Sequence, residues 1–274
     1  MKNDERERLM QLSLSEKIEH SKEIIKQALA KFSRDELYLA WTGGKDSTTM
    51  LWLYREACKE SGESMPRAIF IDEGHVFDEI FDLVNQVRRE WDIDLNIIKN
   101  TDVSEKADNL GDAIRVADLN ERNRRELEKL GFTEDTFTFE PESYVGNHLM
   151  KTVAMKVFIE VNGVKAVSTA IRWDEQEARR AEDYFSLRAD PDHTRVQPIL
   201  HFKERDVWNT IVKYKIPFCS LYYQGYRSLG AKGSTAKASD IPAWEQDLDN
   251  TPERAGRSQE KEEIMEKLRD LGYM

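Results

Sequence analysis

At 274 residues with a formal net charge of −11, from 41 basic and 52 acidic side chains, the chain is long enough for one large domain. Its acidic balance excludes indiscriminate attraction to nucleic acid or anionic membrane. Apolar residues make up 39% and charged residues 34%, but 9 Tyr, 11 Phe and 6 Trp exclude a disordered polymer. Two cysteines, Cys58 and Cys219, are too few for a disulfide scaffold or a thiolate-only metal or iron–sulfur site. Apolar runs such as 68–71 fall far below the roughly 20 residues of a spanning helix. The opening MKNDERERLM is too charged for the apolar core of a signal peptide, so a cytoplasmic protein is expected. No fixed-period repeat appears, which argues for one globular unit.

Apolar positions from Leu12 to Phe32 recur at helical spacing, with Ser13 or Ser15 placed to cap the start. Leu37 to Trp41 is a short apolar strand that stops at Gly43-Gly44, and Thr48 to Glu60 then reads as helix. The order repeats with a strand at 68–71, a helix over 77–91 and a strand at 95–98. The polar stretch 101–141 reads as an insertion with helix around 120–129, placed to cover a site. A helix at 145–161, a strand at 165–171, a helix-like 174–184 and a helix at 204–213 follow. Residues 222–250, rich in Gly, Ser and Ala, read as loop, and 258–271 as a charged helix. Strands alternating with helices predict an α/β fold, a mainly parallel sheet with helices on both faces. A boundary near Val196 divides a core domain, 1–196, from a C-terminal extension, 197–274, that closes over the site.

The most informative residues are Trp41-Thr42-Gly43-Gly44-Lys45-Asp46-Ser47-Thr48, between an apolar strand and an amphipathic helix. Glycines admit an anion close to the backbone. The helix start offers unpaired N–H groups and about half a positive charge, while Lys45 and the Ser47 and Thr48 hydroxyls add donors. Phosphate is the natural ligand. Position 39 is Leu where a Walker loop has glycine, and no acid follows at dinucleotide-fold spacing, so kinase, GTPase and dehydrogenase readings are disfavoured. His148 and His193 have no Cys or His at metal spacing, so no protein zinc site is expected.

T-G-G-K-D-S after a strand resembles the PP-loop of the adenine-nucleotide alpha-hydrolase superfamily, which grips the pyrophosphate end of ATP. Phe70 to Glu79 (FIDEGHVFDE) resembles a segment shared by the phosphoadenosine phosphosulfate (PAPS) reductase family and the small subunit of bacterial sulfate adenylyltransferase. Met150-Lys151-Thr152, Ala170 to Arg179, Phe185 to Arg188, Asp206-Val207-Trp208 and Ile216-Pro217 with Leu221-Tyr222 follow in the family's order, so the similarity spans nearly the whole chain. Reductases of this family use a C-terminal cysteine as nucleophile, and none follows Cys219, which sits in an apolar stretch that suits an inert buried thiol. Glu253-Arg254-Ala255-Gly256-Arg257, Met265-Glu266-Lys267 and Gly272-Tyr273 resemble the ending of the adenylyltransferase small subunit. Thr42-Gly43-Gly44 departs from that subunit's usual S-x-G and is closer to reductase-like members, which leaves the acceptor and the partner open.

The resemblance implies adenylyl transfer from ATP to an oxyanion, sulfate first, with Mg²⁺ as the metal and pyrophosphate as the leaving group. It implies that Thr42, Gly43, Gly44, Lys45 and Ser47 hold the phosphates and that Asp46 orients the loop or a Mg²⁺ shell. Asp72, at a strand end, would meet the nucleotide or the metal. Arg172, Arg179 and Arg188 would contact the alpha-phosphate or the oxyanion, and Arg227 would close over them. A larger GTPase-type subunit, or failing that a homo-oligomer, is implied by resemblance alone, and neither membrane nor nucleic acid is an expected partner. Alternatives are a sulfonucleotide reductase using another thiol, a non-catalytic nucleotide-binding subunit, and ATP-driven activation of a nucleic-acid or cofactor group for sulfur insertion.

Overall fold

The computed structural model describes residues 3–233 and 235–253. Two N-terminal helices, α1 (Asn3–Met10) and α2 (Leu14–Lys31), lead into β1 (Leu37–Ala40). Ser13 caps α2 in a reciprocal box with Glu16, which satisfies two otherwise unpaired helix-start donors. Helix α3 (Lys45–Ser61), β2 (Arg67–Ile71), α4 (Asp78–Glu90) and β3 (Leu95–Ile98) continue the alternation. The insertion holds α5 (Thr101–Ser104), β4 (Ala113–Arg115), α6 (Glu121–Lys129) and β5 (Thr136–Thr138), with β4 and β5 paired antiparallel. Then come α7 (Tyr144–Asn147), a π-helical stretch (His148–Val153), α8 (Ala154–Asn162), β6 (Ala166–Ser168), β7 (Phe185–Ala189), β8 (Asp192–Val196) and α9 (Glu204–Tyr214).

Six strands form one sheet in the order β3-β2-β1-β6-β8-β7. All neighbours run parallel except the edge strand β7, which pairs antiparallel to β8. Alternate residues of a strand face opposite sides, and the two faces are covered differently. Leu37, Leu39, Ala68 and Phe70 pack with buried residues of α2, α3, α4 and α9, whereas Tyr38, Ala40, Ile69 and Val167 pack under Met155 and Ile159 of α8. Residues from both sides of Val196, including Ile199, Phe202 and Trp208, share the larger core. The insertion buries its own cluster, in which Ile114, Leu127 and Phe137 meet Leu149, Met150 and Val153 of the π-helical stretch. The wider turn there turns Lys151 and Thr152 toward a cavity while their neighbours anchor the insertion.

Three expectations change. Residues 174–184 are not a helix but a turn, with one 3₁₀ segment at Glu177–Arg179. Their charges at four-residue spacing imitate a helix face, yet no apolar stripe backs them. The β7–β8 hairpin was not foreseen; its edge strand leaves Leu187 82% exposed and so lacks the apolar run that marked the buried strands. Helix α3 starts at Lys45 rather than Thr48, which makes the glycine turn itself the helix N-terminus. The charged helix expected over 258–271, and Arg254 and Arg257, lie outside the described residues.

Candidate functional site

Gly43 has φ +71°, and a Cβ there would stand 2.7 Å from Ile80 Cγ2 and 3.3 Å from Val84 Cγ2. The turn therefore presses against α4 at a point only glycine fits. Gly43→Ala is expected to lower stability by about 1–3 kcal/mol through left-handed strain and crowding; an unchanged urea midpoint would contradict this. Gly44 is the N-cap of α3 and supplies no side-chain cap. Hydroxyls organise the turn instead: the Thr42 N–H donates to Ser47 Oγ (3.2 Å), Ser47 Oγ donates to the Gly44 carbonyl (3.1 Å), and the Gly44 N–H donates to Thr42 Oγ1 (3.3 Å). The Lys45 N–H donates to the Tyr222 hydroxyl (2.9 Å), so a residue far along the chain holds the helix start.

At this helix start lie two buried cations. The Lys45 ammonium, 1% exposed, meets Asp46 Oδ2 at 3.1 Å, Glu204 Oε1 at 3.8 Å and the Glu253 carboxylate. The Arg172 guanidinium, with no exposure, binds Asp174 Oδ1 at 2.9 Å and also pairs with Asp46 and Glu253. Glu253 thus bridges Lys45 and Arg172 with one oxygen each. Burial works to raise its pKa, but Arg172 and Lys45 outweigh it and hold the carboxyl well below the usual range. Burial likewise works to lower the Lys45 pKa, and Glu253 and Glu204 reverse the direction.

Lys45, Asp46 and Glu253 line one end of a cavity of about 230 Å³ that also includes Thr42, Gly44, Ser47, Glu175, Arg179 and Tyr222, while Arg172 stands behind it, paired with Asp46 and Glu253. The structure thereby brings together Thr42, Gly44, Lys45, Asp46, Ser47, Arg172 and Arg179 around the glycine turn. Arg179 is 7% exposed and pairs with Glu175, and among the described residues its Nε has no hydrogen-bond partner. The other candidates lie elsewhere. Asp72 accepts from the Gly74 N–H (2.9 Å), faces Lys99 (3.4 Å) and does not line the cavity. Arg188 points to Glu182 through bonds of 3.0 and 2.9 Å. Arg227 is engaged by Glu204 and by the Asp247 and Leu248 carbonyls; it pins its loop, so that Ser228, Leu229 and Gly230 reach the cavity in its place.

Sequence reasoning did not single out Glu204, Tyr222 or Glu253 as site residues, because each meets the loop only through long-range folding. Both thiols are buried, and burial pushes Cys58 and Cys219 up to about 11. Among the described residues no helix is long and apolar enough to cross a membrane, and no group of three metal-ligating side chains assembles.

Residues 36–237 match the family model of the phosphoadenosine phosphosulfate reductase domain. The chain belongs to that family. Two of its relatives carry different names. The adenosine 5′-phosphosulfate reductase of Geobacillus kaustophilus is 26% identical over 70% of this chain and 79% of the relative. The sulfate adenylyltransferase subunit 2 of Sulfurovum sp. is 27% identical over 82% of this chain and 71% of the relative. Among solved structures, the FMN adenylyltransferase of Candida glabrata in complex with FMN and an ATP analogue superposes with TM-score 0.65 at 18% identity, covering 92% of this chain and 96% of that one. The PAPS reductase of Candida auris superposes at 0.57 and 20% identity, covering 86% and 98%. These two likenesses show the shared PAPS reductase-type fold, and the family read from the glycine turn and the segments after it is borne out.

Proposed function

We propose that the protein transfers the adenylyl group of ATP to an oxyanion acceptor, with sulfate the first candidate. The observation that carries this reading is the Glu253 carboxylate held between the buried Lys45 and Arg172 at the start of α3. A carboxylate marks an oxyanion position flanked by two cations, one of them the first residue of a helix whose N-terminal end favours negative charge. In the reaction an acceptor oxygen bonds to the alpha-phosphorus, the bond to the bridging oxygen breaks, and pyrophosphate leaves with the electron pair. No redox step is involved, and sulfate needs no deprotonation. The protein's part is positioning and charge neutralisation by Gly43, Gly44, Lys45, Ser47, Arg172 and Arg179.

Mg²⁺ fits this arrangement as an ion brought in with the triphosphate, since such ions need only one or two protein carboxylates beside phosphate oxygens. Asp46, 20% exposed at the turn, is the residue that would hold it. When bound it supplies further neutralisation of phosphate charge. The relatives' name of subunit 2 adds the expectation of a larger partner subunit.

A thiol-based reductase is the weaker reading, because both cysteines are buried and shifted toward the unreactive thiol. Pyrophosphate release from ATP, measured with sulfate, with molybdate and with neither, tests the proposal. Acceptor-stimulated release that survives Cys219→Ser is expected. ATP binding without release under any acceptor would instead favour a non-catalytic subunit, and sulfite release lost on Cys219→Ser would favour the reductase.

A further inference from the structure

The cavity continues beyond the loop. It crosses the α8 face of the sheet, over Ala40, Ile69 and Ile71 and beneath Met155 and Ile159, and closes against β8 at His193 and Arg195. Strand pairing fixes that far end. Arg195 lies opposite Val167, whose side chain belongs to the α8-face cluster, and His193 two residues earlier shares its face. Arg195 is 4% exposed and His193 7%, so both are almost out of water.

Neither side chain is fully satisfied among the described residues: Nε and Nη1 of Arg195 have no hydrogen-bond partner there, nor does His193 Nε2. A guanidinium keeps its charge and its five donors wherever it sits, and burying it unpaired is unfavourable unless something else pairs with it. Its surroundings add to the imbalance. Burial and then the nearby Arg188 push Arg195 down to about 10; the opposing carboxylate, Glu182, is itself bonded to Arg188. Lys45, at the other end, responds to a different set of charges: Glu253, Glu204, Tyr222 and Arg172.

His193 makes the chemistry more specific. Its Nδ1 lies 2.7 Å from the Pro191 carbonyl, which can only accept, so Nδ1 carries the hydrogen. In the neutral ring Nε2 is then an acceptor, and burial followed by Arg195 pushes this histidine down to about 4. Lys156 and Asp190 also line the cavity but pair with each other at 2.8 Å, so what remains for a ligand is the cationic donors of Arg195 beside the neutral acceptor of His193. A hydrogen phosphate group, with anionic oxygens and one O–H, complements both, whereas sulfate at neutral pH has no proton to give.

We propose that Arg195 and His193 form a second subsite of this cavity that receives a phosphate group, either as the free ion or on an organic body laid across the apolar floor. The inference rests on the cavity being the substrate site read above but does not require adenylyl transfer. Calorimetric titration without nucleotide near pH 6, where a phosphate monoester still carries its O–H in roughly half the molecules, using inorganic phosphate, phenyl phosphate and sulfate, tests it. Inorganic phosphate also suits the loop, so each probe is titrated into Lys45→Ala as well, where the Arg195-dependent event must persist. Arg195→Gln is expected to weaken phosphate-probe binding about tenfold or more, with Arg195→Lys recovering part of the loss. Tighter binding of phenyl phosphate than of inorganic phosphate identifies an organic phosphate; equal binding identifies the free ion. In the wild-type protein, the His193 ring signals in NMR spectra should shift on adding either probe, a readout that needs no variant to fold. Affinities untouched by Arg195→Gln, or no His193 shift at saturation, would overturn the subsite. Sulfate binding as tightly as phosphate would overturn the part given to His193. Loss of pyrophosphate release with these titrations intact would remove only the transfer reaction.

Discussion

Lys45→Ala is expected to reduce acceptor-stimulated pyrophosphate release by about 10²- to 10³-fold, the range for removing one preorganised charge-stabilising donor from an active site. The ammonium sits at the first residue of α3, 1% exposed, so no solvent-borne cation easily replaces it. Removal also leaves Glu253, Glu204 and Asp46 with one cation fewer in a buried setting. Breaking one side of such a pair costs about 3–5 kcal/mol, so the urea midpoint of the variant should fall as well. Initial rates must therefore be taken under conditions where denaturation curves show the variant folded, with Lys45→Arg alongside to restore charge without the compact ammonium. A folded Lys45→Ala that releases pyrophosphate at the wild-type rate removes the loop from the mechanism.

For Arg172→Ala the larger effect falls on stability. This side chain is fully buried and gathers Asp46, Asp174 and Glu253 around one guanidinium. Its loss leaves three carboxylates facing a void, and a destabilisation of about 3–5 kcal/mol follows. The pH dependence has a definite sign. The Glu253 carboxyl is depressed in the folded protein, so it contributes stability that is complete above an unfolded value of about 4.3 and is lost as acid carries the pH below it. Without Arg172 that carboxyl moves back upward and its contribution shrinks. Urea midpoints at neutral pH and at about pH 3.5, below the unfolded carboxyl value, read both effects, and a midpoint equal to wild type at neutral pH would show that Arg172 does not hold the cluster together.

The parallel core was legible because buried strands leave short apolar runs, as at Leu37 to Ala40 and Ala68 to Ile71, each ended by a glycine or an acid. The edge hairpin was not, since Leu187 faces water and Arg188 and Arg195 interrupt any apolar pattern. A turn signal, Asp190-Pro191-Asp192, stood between its strands and was the available clue. Glu175 and Arg179 have helical spacing and do pair, but across a single 3₁₀ turn. At the site the same division holds. Gly43 to Ser47 are neighbours in sequence, so their joint meaning is local, and Arg172 follows a strand end. Tyr222 reaches the loop across 177 residues and Glu253 across 208, distances over which spacing carries no signal. Arg195 was hidden for another reason: its burial is known only once β8 is seated beside β6.

On the proposed function, Glu253 also sets the terms on which a triphosphate would enter. In the free protein the cations of the turn already have an incumbent counterion drawn from the chain itself, so an arriving nucleotide displaces one anion and does not fill an unmet need. The affinity measured for ATP is then a difference between two partnerships, and small ambient anions compete with a tethered rival rather than with water. Whatever moves the segment around Thr251 to Glu253 resets that contest without touching a single residue of the glycine turn.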